Sequence, residues 1–153
     1  GGKRIPAGMK FSDNITPYRY LRVTDMKNQT IVGCTYISKE IYDLIQKYTI
    51  NESDMYITVA GTIGNVGIIP KDYHGANLTE NADKLLLNNN IFKPWFIIFL
   101  QSPTCQQQII DCTTKVGQPK LAIKRIENIV VALPPLLEQM QIVNSINEII
   151  KHL

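Results

Sequence analysis

The sequence has few cysteines, only two histidines and no long apolar run, and each shortage removes a class of function. Cys34, Cys105 and Cys112 are an odd, scattered set without C-x-x-C spacing. They read as small buried hydrophobes in a reducing compartment, the cytoplasm, not as a disulfide frame or a metal site. No apolar run is long enough to span a bilayer, so no membrane contact is expected. The start, Gly-Gly-Lys-Arg-Ile-Pro, lacks the apolar region of a secretion signal, and its lack of Met is expected of an excised fragment. Without that signal, the N-x-[ST] triplets at Asn14, Asn28, Asn51 and Asn77 carry no glycosylation argument. His74 and His152 have no evident partner and read as surface residues. No G-K-[ST] follows the glycines at 61, 64 and 67, so the phosphate-loop and dinucleotide readings both fail.

What is present is an ordinary globular composition. At 153 residues, with 44% hydrophobic and 19% charged side chains, one domain with a real core is expected. The net charge of +3 is unevenly spread. Residues 1–27 hold six basic side chains against two acids, and residues 115–125 hold four basic side chains and no acid. The stretches 28–114 and 126–153 are both net acidic. Two basic segments on an acidic body suggest a localised positive surface for a polyanion, provided they meet on one face. If they lie apart, they are merely solvated.

The chain is organised around its end. Residues 129–133 form an apolar, partly β-branched run of strand length, stopped by Pro134 and Pro135. From Leu136 the period becomes helical, with Gln139, Ile146 and Leu153 at one heptad position, Ile142 and Ile149 at a second, and Val143 and Ile150 beside them. That stripe fits a last helix packed on its own domain. It fits equally a connector helix that pairs outside it.

Earlier in the chain, residues 18–23 alternate as a strand, Lys27-Asn28-Gln29 is a turn, and Thr30–Ile37 is a strand interrupted by Gly33. Ser38 caps a helix with Ile41, Leu44, Ile45 and Tyr48 on one face. Met55–Ala60 and Val66–Ile69 form a hairpin around close-packed glycines, and Leu85–Leu87 is a buried strand. Helices are expected after Lys93-Pro94 and after Ser102-Pro103, then a basic loop from Thr113 to Lys120 and a helical turn in 121–128. Strands and helices mix without regular alternation, which predicts an α+β fold.

Five stretches, in order, resemble one family. They are Tyr-Leu-Arg-Val-Thr-Asp (20–25), Val-Ala-Gly-Thr-Ile-Gly-Asn-Val-Gly (59–67), Leu-Thr-Glu-Asn-Ala (78–82), Lys-Val-Gly-Gln-Pro-Lys-Leu (115–121) and Leu-Pro-Pro-Leu-Leu-Glu-Gln with Ile142-Val143 (133–143). Together they resemble a target recognition domain of the DNA specificity subunit of type I restriction–modification systems. The equivalent domain of a fused restriction–methylation enzyme is similar. The resemblance implies a recognition domain over 1–133 and, over 134–153, the start of a coiled-coil spacer helix. It also implies double-stranded DNA as ligand, and methyltransferase and restriction subunits as partners. A second recognition domain, or a homodimer partner, would pair through the helix at Ile142, Val143, Ile146, Ile149, Ile150 and Leu153. S-adenosylmethionine, ATP and magnesium are then expected on partner subunits and no cofactor on this chain.

The residues agree with a non-catalytic role. The only Pro-Pro lies between leucines, unlike the Asn/Asp-Pro-Pro-aromatic loop of N6-adenine methyltransferases, and no metal-ligand cluster is visible. Phosphate contacts are expected from Lys3, Arg4, Lys115, Lys120 and Lys124. Base readout needs planar bidentate groups, and Arg19, Arg22, Asn28, Gln29, Asn65 and Gln118 are the candidates. Asn28 and Asn65 read equally well as turn residues, and the Gly61–Gly67 motif reads as structural. A protein-interaction domain with incidental basic segments is the remaining alternative.

Overall fold

The β-branched, glycine-flanked segment near residue 60 forms the centre of the fold. β6 (Met55–Thr58) is buried at every position and pairs antiparallel with β7 (Val66–Ile68) on one side and β9 (Ala82–Leu85) on the other. Gly67 sits opposite Tyr56 in the register. A Cβ there would run into the Gln29 backbone and the Tyr56 hydroxyl, so the close approach requires glycine. The structure is a computed structural model and describes residues 1–114 and 117–152.

A second sheet has the order β4 (Thr35–Tyr36), β1 (Arg19–Leu21), β8 (Ala76–Leu78), β5 (Thr49–Ile50), with β1 and β8 parallel. A short hairpin, β2 (Met26–Lys27) and β3 (Thr30–Ile31), turns at Asn28 (φ 51°) and Gln29 (φ 63°). Two consecutive positive φ values match the tight hairpin turn whose twist suits the flanking strands. The Tyr56 hydroxyl donates to the Thr30 carbonyl at 3.2 Å and ties this hairpin to the central sheet. Helix α1 (Lys39–Ile45) starts where the Ser38 hydroxyl accepts from the Ile41 amide.

The helical layer covers the other face of the central sheet. α2 (Lys93–Gln101) has proline in its first turn, and α3 (Pro103–Cys112) is capped by the Ser102 hydroxyl. A short α4 (Ile123–Ile126) leads to α5 (Leu136–Lys151). Met55, Ile57, Val59, Trp95, Phe96, Leu100, Cys105 and Ile109 form the main core, and Leu121 and Val143 close it. The domain is α+β, as the patterning predicts.

Gln139 anchors α5. It is fully buried. Its side-chain oxygen accepts from the Phe92 amide at 2.8 Å, and its nitrogen donates to the Asn90 and Pro134 carbonyls, each at 2.8 Å. Val143, one turn on, is also buried, whereas Ile149 and Ile150 are 62% and 60% exposed. The domain therefore covers the start of the stripe and leaves its outer turns in water.

Four expectations are corrected. Residues 129–133 form no strand: Val130 is 73% exposed, and its backbone N–H and C=O pair with the side chain of Gln108 at 2.9 and 3.2 Å instead of with a strand. An amide side chain supplies here the two bonds a neighbouring strand would give. The strand expected at 85–87 is β9, three residues earlier, and Leu86 is exposed at its end. Thr30–Ile37 splits at Gly33 into β3 and β4, which belong to different sheets. Leu44 points to solvent, because α1 ends at Ile45 and buries only Ile41 and Ile45.

Candidate nucleic-acid interface

The two basic segments meet at Arg4 and Lys120. The N-terminal arm is laid on the strand ends: Gly2 N–H donates to the Ala82 carbonyl at 3.0 Å and Lys3 N–H to the Leu78 carbonyl at 2.8 Å. The Tyr20 hydroxyl donates to the Lys3 carbonyl at 2.9 Å and fixes where the arm leaves the sheet. Arg4 then reaches Glu80, with Nε and Nη2 both 2.6 Å from Oε1. Burial opposes ionisation of Glu80. Hydrogen bonds from Arg4, its own backbone and Thr79 outweigh that and hold its carboxyl below the usual range.

The second basic segment arrives through backbone pairing. Leu121 N–H donates to the Val59 carbonyl at 2.9 Å, and Lys120 bridges Ala60. On the other side of the same two residues, the Asn81 carbonyl accepts from Val59 N–H at 2.8 Å and Ala60 N–H at 3.3 Å. The end of the central strand is thus gripped between 79–81 and 120–121. A cavity of about 200 Å³ results, lined by Arg4, Ala60, Glu80, Asn81, Gln118, Pro119 and Lys120. A neighbouring hollow shares Arg4, Glu80 and Asn81 with it and extends to Tyr20 and Arg22.

Of the expected site residues, this places Arg4, Lys120 and Gln118 in one cavity and Arg22 in the next. Arg22 is committed to a two-pronged pair with the buried Asp25, at 3.1 Å for both Nε–Oδ2 and Nη2–Oδ1. Arg19 is half-buried in β1, and the Lys3 ammonium lies 5.8 Å from the centre of the Tyr48 ring. Lys124 is exposed on α4. Asn28 and Gln29 are exposed on the hairpin turn, where the Gln29 amide donates to Gln101 at 3.2 Å. Asn65 faces a different cavity, with Thr62, Gln101 and Gln106, and its Nδ2 donates to the Met26 carbonyl at 2.8 Å. That bond ties the link between β6 and β7 to the β2–β3 hairpin. Lys115 and Leu153 lie outside the described residues.

Asn81 and the Arg4–Glu80 pair were missed by the sequence reading. The available signal was the polar Thr79-Glu80-Asn81 between two buried strands. In this three-residue link between two sheets Thr79 is buried, whereas Glu80 and Asn81 are half-buried at the edge. Among the described residues, no group of three or more His, Cys, Asp or Glu is placed to hold a metal ion, and no helix is long and apolar enough to cross a membrane.

A family profile described as the Type I restriction modification DNA specificity domain matches residues 1–153. The type I restriction enzyme EcoBI specificity subunit of Escherichia coli is 29% identical over 114 residues, which cover 74% of this chain and 24% of that subunit. The chain therefore spans about a quarter of that curated relative's length. A chain from the structure "Structural basis underlying complex assembly and conformational transition of the type I R-M system" superposes with a TM-score of 0.75 at 15% identity, covering 99% of this chain and 35% of that one. The HsdS subunit from Thermoanaerobacter tengcongensis superposes with a TM-score of 0.69, also at 15% identity, covering 88% of this chain and 36% of that one. At that identity the likeness is one of fold.

Proposed function

The chain belongs to the type I restriction modification DNA specificity domain family, and on that premise we propose that it reads one half of a bipartite target in double-stranded DNA. The observation that carries this is the convergence of the N-terminal arm and the 117–121 segment on one polar cavity, with Arg4 and Lys120 beside the Asn81 and Gln118 amides. Cations there neutralise phosphates and give affinity, while amides offer the paired donor and acceptor that base edges require.

In this reading the chain contributes no bond-making step. It directs methyltransferase and restriction subunits, which hold S-adenosylmethionine, ATP and magnesium, and it works in the cytoplasm. The outer turns of α5 form the start of a spacer that pairs with a second recognition unit, from this protein or another copy. The exposure of Ile149 and Ile150 supports that role. A helix that ends with apolar side chains in water gains by covering them, at about 25 cal/mol per Å².

The test is duplex binding as a function of salt. Neutralising four to six phosphates gives log K against log salt a slope of about −4 to −5. A flat profile, or no binding at low salt, defeats the reading.

A further inference from the structure

Resting on the DNA-recognition reading above, we propose that Asn81 is a specificity-determining residue whose amide reads the major-groove edge of one adenine. Asn81 differs in what it has already spent from the amides around the separate Asn65 cavity. The Asn65 amide is bonded to Met26, Gln29 to Gln101, and Gln106 to the Gly64 and Leu100 carbonyls. The Asn81 side chain has no hydrogen-bond partner among the described residues, and it lies where the two cavities adjoin.

Its position is rigid for reasons that do not involve the amide. The backbone carbonyl holds the Val59 and Ala60 N–H groups, and the backbone N–H donates to the Thr79 hydroxyl at 3.4 Å. A short side chain on a locked backbone loses little freedom on binding. Gln118, the other amide on the cavity wall without a hydrogen-bond partner among the described residues, is longer and follows Gly117 at φ 74°, so it is less well set in advance.

The chemistry selects the base. One amide offers one acceptor and one donor side by side. Adenine answers with its N6 amino group and N7, whereas guanine shows two acceptors, O6 and N7, at that edge. The one carboxylate in the cavity, Glu80, is neutralised by Arg4 and does not repel the duplex. Lys120 stands on the same wall to meet a phosphate.

The experiment is selection of duplexes from a random library by this chain and by Asn81→Ala and Asn81→Asp, followed by affinity and salt dependence on the enriched sequence. The wild type is expected to enrich an adenine that Asn81→Ala no longer prefers, with roughly 5- to 150-fold discrimination lost at that position alone and an unchanged salt slope. Replacing that adenine by 7-deazaadenine should weaken the wild type similarly and leave Asn81→Ala indifferent. The isosteric Asn81→Asp, which cannot donate to N7, should also lose the adenine, so the result does not hang on the folding of one variant. An unchanged adenine preference in either folded variant overturns the inference. So does a wild-type motif without adenine, or binding without sequence preference. Absence of salt-dependent binding by the wild type defeats the DNA reading instead.

Discussion

Gln139 holds α5 to the domain through three hydrogen bonds in a fully buried setting. Its loss takes the partner from one backbone N–H and two carbonyls, on half-buried Phe92 and Pro134 and exposed Asn90. Gln139→Leu should therefore cost about 3 kcal/mol despite similar size, since each of the lost hydrogen bonds is worth about 1 kcal/mol. For a chain of this length that lowers the melting midpoint by roughly 6–12 °C. A midpoint within a degree of wild type would show that the helix is held by its apolar contacts alone. Tyr56 makes a second, pH-readable prediction. Burial pushes its hydroxyl up to about 12 from the ordinary tyrosine value of 10.0. The folded state thus holds that proton more tightly than the unfolded chain. The stability it contributes is complete below pH 10 and is lost as pH rises towards 12. Denaturant titrations at stepped alkaline pH should show that loss in the wild type, and a weaker one in Tyr56→Phe.

The outer half of α5 is a different problem from its inner half. Val143→Ala opens the main core and should cost about 2 kcal/mol. Ile149→Asp with Ile150→Asp touches only exposed positions and should leave the melting midpoint unchanged while removing any self-association. Sedimentation at high concentration checks this. A strictly monomeric wild type, indistinguishable from the double variant and with no partner chain present, would make the helix ordinary cover for its own domain. The heptad pattern made this stripe legible, because a 3.6-residue period is written in the spacing of Ile142, Ile146 and Ile149. It placed Gln139 on the apolar stripe without a reason, since its reason lies in Phe92 and Asn90, almost fifty residues away. The hairpin at 55–68 and the capped helices at 38 and 102 were equally legible, because caps and turns are local chemistry. Residues 129–133 misled for the converse reason. Their composition suits a strand, but pairing needs a neighbour, and Gln108 occupies that place. Asn81 was hidden in the same way: nothing in Thr-Glu-Asn says that its carbonyl is used and its amide spare.

The uneven charge of the sequence makes sense only once the chain is folded, because residues 4 and 120 are far apart along it and share one cavity. Lys120→Ala should weaken binding to every duplex alike and flatten the salt slope by about one, the signature of a phosphate contact. Arg4→Ala should weaken binding by leaving Glu80 unpaired beside the duplex, so a larger loss is expected there. Equal affinity for both variants and the wild type at low salt would move the interface off this surface. The central claim, that this chain tells a methyltransferase where to act, is tested most directly by the methylation pattern of its host genome before and after the coding sequence is deleted. A methylated bipartite motif that disappears on deletion and returns on complementation is the expected result. Methylation that is unchanged at every motif would contradict it.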